Sequence, residues 1–142
     1  MDLKIDKLDL KQINMQVWNK KFKYRMRHWI ALNSENYLKY RALEKVEDKL
    51  LMLEQILKGN ILSMAKGIEW NIDKQIELKI EKVEKELTVK LKGVKVSAFD
   101  LVFETNVFLP DNIGLGKSVT FGYGVVRPYR EKVIHTEDVE RA

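Results

Sequence analysis

Between residues 74 and 98 apolar residues alternate with charged and polar ones, and this alternation constrains the fold more than any other feature of the chain. Ile76, Leu78 and Ile80 share one parity over residues 74–81, and Leu87, Val89 and Leu91 share one over 87–91. Successive side chains of a strand point to opposite faces, so each run predicts a strand with one apolar side. Lys92-Gly93 then forms a tight turn and Val94, Val96 and Ala98 alternate onward, which predicts a hairpin. The apolar parity changes at Phe99 and continues through Leu101, Phe103 and Val107. That change is compatible with a β-bulge or with a strand buried on both faces. Pro110 closes the run.

The cover for such a sheet lies upstream. Asn33-Ser34-Glu35-Asn36 is a helix-start signal, with Asn33 or Ser34 able to cap free N–H groups, and predicts a helix over 34–42. A second helix is predicted over 44–66, where Val46, Leu50, Leu53, Leu57, Ile61 and Met64 form an apolar stripe at helical spacing. Gly59 weakens that helix or lets a neighbour approach closely, and Gly67 suits its C-terminal cap beside Lys66. Before both helices, residues 14–29 read as a long strand: Phe22, Tyr24 and Met26 share one parity, Lys21, Lys23, Arg25 and Arg27 the other. Val119, Phe121, Tyr123 and Val125 form a last strand after the glycine-rich stretch 114–124. Strand, helices, then several antiparallel strands make an α+β sandwich, one face of the sheet covered by helix. At 142 residues the chain is one domain. Residues 1–13 read as an arm or short amphipathic helix, 14–130 as the domain and 131–142 as an acidic tail.

Several chemistries are excluded at once. With no cysteine there is no disulfide framework, Cys-ligated zinc, Fe–S cluster or thiol nucleophile. His28 and His135 are too few for a His-rich metal site, and His135 sits in the acidic tail. No apolar run approaches the ~18 residues of a membrane span. The N-terminus lacks the apolar region of a signal peptide, so the expected location is cytoplasmic. The net charge of +5 is unevenly spread: residues 14–43 carry seven basic residues against one acidic, and 111–130 three against one. Those two segments are where a polyanion partner is expected. Lys21, Lys23, Arg25 and Arg27 in a row on one strand face can track a phosphate backbone. Tyr24, Trp29 and Tyr123 are candidate stacking partners for bases, with parity against Tyr24. Tyr24 shares the parity of Phe22 and Met26 and points into the apolar layer, and Trp18 and Trp70 read as packing residues.

The densest motif is Gly114-Leu115-Gly116-Lys117-Ser118, followed by Gly122-Tyr123-Gly124. Glycines with a Lys and a Ser suggest backbone N–H groups approaching a phosphate with a cation alongside. A P-loop is ruled out because Asp111 stands where its first glycine belongs and a strand, not a helix, is expected to follow. The dinucleotide fingerprint fails at Val119, which occupies the third glycine position. A hairpin with flexible turns is the structural alternative.

Three blocks together resemble the C-terminal part of the CRISPR repeat-RNA processing endoribonucleases, members of the RAMP superfamily. They are Tyr24-Arg25-Met26-Arg27-His28-Trp29-Ile30-Ala31-Leu32-Asn33 with Glu35-Asn36-Tyr37; Ile56-Leu57-Lys58-Gly59-Asn60-Ile61-Leu62-Ser63-Met64-Ala65-Lys66-Gly67; and Phe103-Glu104-Thr105-Asn106-Val107-Phe108-Leu109-Pro110 running into the glycine-rich stretch. The resemblance covers roughly residues 14–127. It implies a single ferredoxin-like (RAMP- or RRM-like) domain and CRISPR repeat RNA as partner. It also implies cleavage by attack of a ribose 2′-hydroxyl, giving a cyclic phosphate without metal or other cofactor. The loop residues Gly114, Gly116, Lys117 and Ser118 match the RNA-contacting loop of the family.

Relatives usually carry two such domains, often with a histidine base in the N-terminal one, and this chain begins where the second would begin. His28 is then the local candidate for proton transfer, a residue type that exchanges protons near neutral pH. Tyr24 is placed to assist, with Lys66 or Lys117 stabilising charge. A homodimer or a partner chain is expected to supply the other half. The alternatives are a non-catalytic RNA-binding homologue and a protein-interaction mimic that displaces the nuclease.

Overall fold

The computed structural model describes residues 17–70, 72, 74–119 and 122–129, with side chains from residue 20 onward. The expected arm at 1–13, the tail at 131–142 with His135, the Trp18 side chain and Phe121 lie outside the described residues. The order of elements is β1 (Val17–Trp29), α1 (Ser34–Ala42), α2 (Val46–Gly67), β2 (Leu78–Leu91), β3 (Val94–Val107) and β4 (Val125–Pro128). The strands form one antiparallel sheet in the order β2-β3-β1-β4. Both helices contribute to a core on one face: Tyr40 from α1 and Leu53, Leu57 and Ile61 from α2 pack with Met26, Trp29, Ile80, Phe99, Leu101, Phe103 and Val126. This is the α+β, ferredoxin-like arrangement that the sequence blocks imply.

Local chemistry accounts for the helix ends. The Asn33 side chain accepts the Asn36 N–H at 2.7 Å and caps α1. Glu47 and Asp48 in the first turn of α2, and Lys66 in its last, complement the helix dipole. The buried stripe of α2 is Leu53, Leu57, Ile61 and Ala65, whereas Val46, the first residue of the helix, is 67% exposed. Gly67 is the last helical residue and Ile68 the cap, so the expected glycine cap falls one residue late. A side chain at Gly59 would meet open space, so no neighbour approaches there.

The strands depart from the simple alternation in three places. β2 is one strand from Leu78 to Leu91 rather than two runs, and it starts later than residue 74. Its ladder with β3 gains one extra residue at Glu81 and another at Glu84. Each bulge reverses the parity locally. Ile80 and Val83 therefore face the helices, while Leu87, Val89 and Leu91 face the other side of the sheet. β3 itself carries no extra residue and is buried on both sides, with Ser97–Phe99, Leu101–Phe103 and Thr105–Val107 all buried. The parity change at Phe99 thus reflects a central strand, not a bulge in it. Residues 122–124 form a turn, with Gly122 and Gly124 at φ 86° and 72°, so β4 starts at Val125 and the expected strand through Tyr123 is not made.

Candidate nucleic-acid interface

Lys21, Lys23, Arg25 and Arg27 lie along β1 on the face turned away from the helices, since Tyr24 and Met26 between them are buried in the core. Three of the four are matched by carboxylates, Glu77 just before β2 and Glu81 and Glu84 within it. Lys21 Nζ lies 2.8 Å from Glu77 Oε1, and Lys23 Nζ lies 3.1 Å from Glu81 Oε2. Arg25 makes a two-pronged contact with Glu84, donating from Nε at 2.9 Å and from Nη2 at 3.0 Å. β2 is not the neighbour of β1; β3 runs between them. The long side chains therefore bridge across the central strand, over the side on which Val102 is fully buried.

Arg27 differs from its neighbours. Among the described residues it has no carboxylate partner. It lines a cleft of about 510 Å³ with Arg25, His28, Gly122, Val125, Arg127, Pro128 and Tyr129. β1 and β4 build this cleft side by side: Arg25 pairs with Arg127 and Arg27 with Val125 in the ladder. Three guanidinium groups thus share one concave surface, and among the described residues no acidic one lines it. Arg25 is committed to Glu84, and Arg127 donates its Nε to Asn112 Oδ1 at 3.0 Å. Arg27 and Arg127 are both exposed and line the cleft. Uncompensated like charges in a concavity select an anion.

His28 stands at one end of this cleft in an unusual conformation. Its φ is 52°, costly for a residue with a Cβ. Two contacts hold it there: its N–H donates to Asp100 Oδ1 at 2.8 Å, and its carbonyl accepts the Gly124 N–H at 3.0 Å. The ladder with β3 shifts here, Met26 lying opposite Leu101 and Trp29 opposite Phe99. The resulting bulge turns Trp29 into the core. The imidazole has no hydrogen-bond partner among the described residues and meets the Tyr123 ring edge-on, with centroids 6.3 Å apart.

The glycine-rich loop buttresses this bulge. Gly124 donates to both Arg27 O and His28 O, Leu115 N–H donates to Gly124 O, and Lys117 N–H donates to Ile30 O. A Cβ at Gly116 (φ 89°) would sit 2.7 Å from Trp29 Nε1, and one at Gly124 would sit 2.1 Å from Leu115 O. The N–H groups of Leu115, Lys117, Gly122 and Gly124 are spent inside the protein. Gly114 is crowded by Val119, and the Lys117 side chain is exposed. Ser118 lines a smaller cleft with Tyr123 and with Lys90, Leu91 and Lys92 at the hairpin tip. Lys66 lies elsewhere, in a shallow depression with Leu62, Glu69, Trp70 and Ile72. The structure thus brings Arg25, Arg27 and His28 together and leaves Lys66 apart.

Two aromatic candidates prove structural. Trp29 is 0% exposed and donates its Nε1 to Asn60 Oδ1 at 2.9 Å, tying sheet to α2, so it has no free face for a base. Tyr24 is 2% exposed; its hydroxyl donates to Val107 O and accepts the Leu109 N–H at 2.7 Å. Burial pushes its pKa up to about 12, with the Leu109 hydrogen bond opposing and the Asp111 charge adding to the rise. It does not line the cleft. Conversely, Arg127 and Tyr129 belong to the cleft and carry no motif. Their only sequence signal was the basic excess of residues 111–130. Among the described residues no cluster of His, Asp and Glu is arranged to hold a metal ion, and no helix is long and apolar enough to cross a membrane.

Comparison with known proteins places this geometry. Residues 16–129 match the family model described as the Cas6b C-terminal domain. An uncharacterised protein of Methanocaldococcus jannaschii is 39% identical over 98 residues, which cover 69% of this chain and 65% of that protein. Crystal structures of Cas6b and of the CRISPR RNA processing endoribonuclease Cas6b each align with a TM-score of 0.75 at 32% identity. The alignments cover 81% of this chain and 66% and 58% of theirs. The type IV Cas6 crRNA endonuclease Csf5 shares the fold, with a TM-score of 0.60 at 16% identity over 82% of this chain and 47% of that one. The chain spans less than two-thirds of the length of each of these relatives.

Proposed function

The chain belongs to the Cas6b C-terminal-domain family, and from that premise we propose that it acts on CRISPR repeat RNA through the arginine cleft between β1 and β4. The observation that carries this reading is the convergence of Arg25, Arg27 and Arg127 on a cleft that also holds His28 and that, among the described residues, has no acidic lining residue. Phosphates of a single strand occupy the guanidinium groups, so affinity falls as salt rises. The reaction is attack of a ribose 2′-hydroxyl on the adjacent phosphorus. The 2′-O–P bond forms, the P–O5′ bond breaks, and a 2′,3′-cyclic phosphate and a free 5′-hydroxyl leave. One proton must come off the 2′-oxygen and one must reach the 5′-oxygen. His28 carries one of these transfers, and Arg27 and Arg127 stabilise charge on the phosphorane. The second proton carrier comes from a second copy or a partner chain.

A second reading, RNA binding without cleavage, rests on a specific observation: the Tyr24 hydroxyl is occupied in the core, which leaves His28 without the phenol expected to assist it. Labelled repeat RNA incubated with the purified chain in EDTA, analysed for both cleavage and gel shift, separates the readings. Site-specific cleavage that His28→Ala abolishes while the shift persists supports catalysis. A shift without cleavage supports the binding module. No shift even at low salt overturns both and leaves the protein-interaction mimic.

A further inference from the structure

We propose that Tyr129 is a stacking platform for one unpaired nucleobase, so that the cleft accepts single-stranded RNA and not a duplex; the proposal rests on the RNA-binding reading above. Tyr129 lines the same cleft as Arg27, His28 and Arg127. Its backbone N–H donates to Lys23 O at 2.9 Å, which extends the β1–β4 pairing by one residue and fixes where the ring stands. Three cations surround that ring: the Arg25 guanidinium is 4.9 Å from its centroid, Lys23 Nζ 5.7 Å and Lys82 Nζ 5.8 Å. They approach from β1 and β2 and hold the ring against the sheet by cation–π attraction. The half-buried ring therefore offers a supported aromatic surface beside Arg27 and Arg127, which have no carboxylate partner among the described residues.

A nucleotide carries one negative group and one flat aromatic group, and the cleft presents a match for each. A phosphate on Arg27 and Arg127 places the attached base within reach of Tyr129. Stacking requires that the base be out of a helix, because both faces of a paired base are already covered by its neighbours. Base–aromatic stacking tolerates any sequence, so this subsite confers preference for single strands rather than for a particular base. His28 at the other end of the cleft then lies along the same strand as the held nucleotide.

The test uses a short single-stranded RNA that carries 2-aminopurine, whose fluorescence is quenched by stacking, and a terminal dye that reports affinity by anisotropy. The native chain and Tyr129→Phe are expected to quench the probe. Tyr129→Leu, which keeps apolar bulk, and Tyr129→Ala are expected to lose the quenching and to bind roughly 5- to 150-fold more weakly. A blunt duplex of the same sequence is expected to compete poorly. Tyr129→Leu that quenches and binds like the native chain overturns the stacking role, as does a duplex that competes equally well. Salt-sensitive binding without any quenching overturns this inference and leaves the RNA-binding reading intact, whereas an absence of binding overturns both.

Discussion

The two ends of the cation row on β1 have the same sequence character and opposite electrostatic fates. Lys21, Lys23 and Arg25 face the carboxylates of Glu77, Glu81 and Glu84, while Arg27, two residues on, pairs with Val125 and has no carboxylate partner among the described residues. Partly exposed ion pairs of this kind contribute little to stability, a median near 0–1 kcal/mol. Their consequence is electrostatic: Glu77, Glu81 and Glu84 offset the charge that Lys21, Lys23 and Arg25 would otherwise present to an anion. A row of cations is therefore not yet a nucleic-acid site. Arg27 differs in that no carboxylate among the described residues matches it, although Arg25, like Arg27, also pairs with β4.

The largest expected effect comes from breaking the unpaired end while sparing the paired one. Gly124→Ala forces a Cβ against Leu115 O, 2.1 Å away, at a positive φ. A loss of roughly 3 kcal/mol or more in denaturant unfolding is expected, together with loss of the His28 bulge that Gly124 braces. Retention of full stability would mean that the loop is not what holds His28.

Tyr24, whose side chain points to the core from between Lys23 and Arg25, is the internal control. Tyr24→Phe strands the buried Leu109 N–H and is expected to cost roughly 1–3 kcal/mol at neutral pH, with RNA affinity unchanged. Its pH dependence has a definite sign. The phenol keeps its proton up to about pH 12 when folded but only to about 10 when unfolded. The stability linked to it is complete below pH 10 and is lost as pH rises to 12. The gap between native and Tyr24→Phe proteins should accordingly narrow over that window, measured by urea unfolding at each pH.

Arg27→Ala with Arg127→Ala is expected to weaken RNA binding at least about ten-fold and to lower the salt slope by roughly 1.4, two phosphate contacts on a single strand. Lys21→Ala with Lys23→Ala should change both by less. Equal effects from the two pairs would erase the distinction between the ends of the row. The smallest effect runs the other way: Glu77→Gln, Glu81→Gln and Glu84→Gln together should strengthen binding a few-fold and steepen the salt slope. Weaker binding by that triple variant would show that the carboxylates organise the surface rather than compete for it.

The amino-acid order by itself determined the parts that depend on neighbours along the chain. The Lys92-Gly93 hairpin, the Asn33 cap, the stripe of α2 and the inward side of Tyr24 all follow from periodicity and capping chemistry over a few residues. So did the family, because its three blocks stand in order. The cleft did not follow, for two physical reasons. Sheet order is a long-range property: with β3 between β1 and β2, Arg25 meets Glu84 although 59 residues separate them, and no local pattern assigns that partner. The bulges at Glu81, Glu84 and His28 also reset which face each later residue of their strands occupies, so that Trp29, a stacking candidate by sequence, becomes core, while the pairing of β4 with β1 brings Tyr129 to the wall of the cleft. Alternation decides a side chain's face only as far as the next bulge, and tertiary structure alone decides where the bulges fall and which charges are left unpaired.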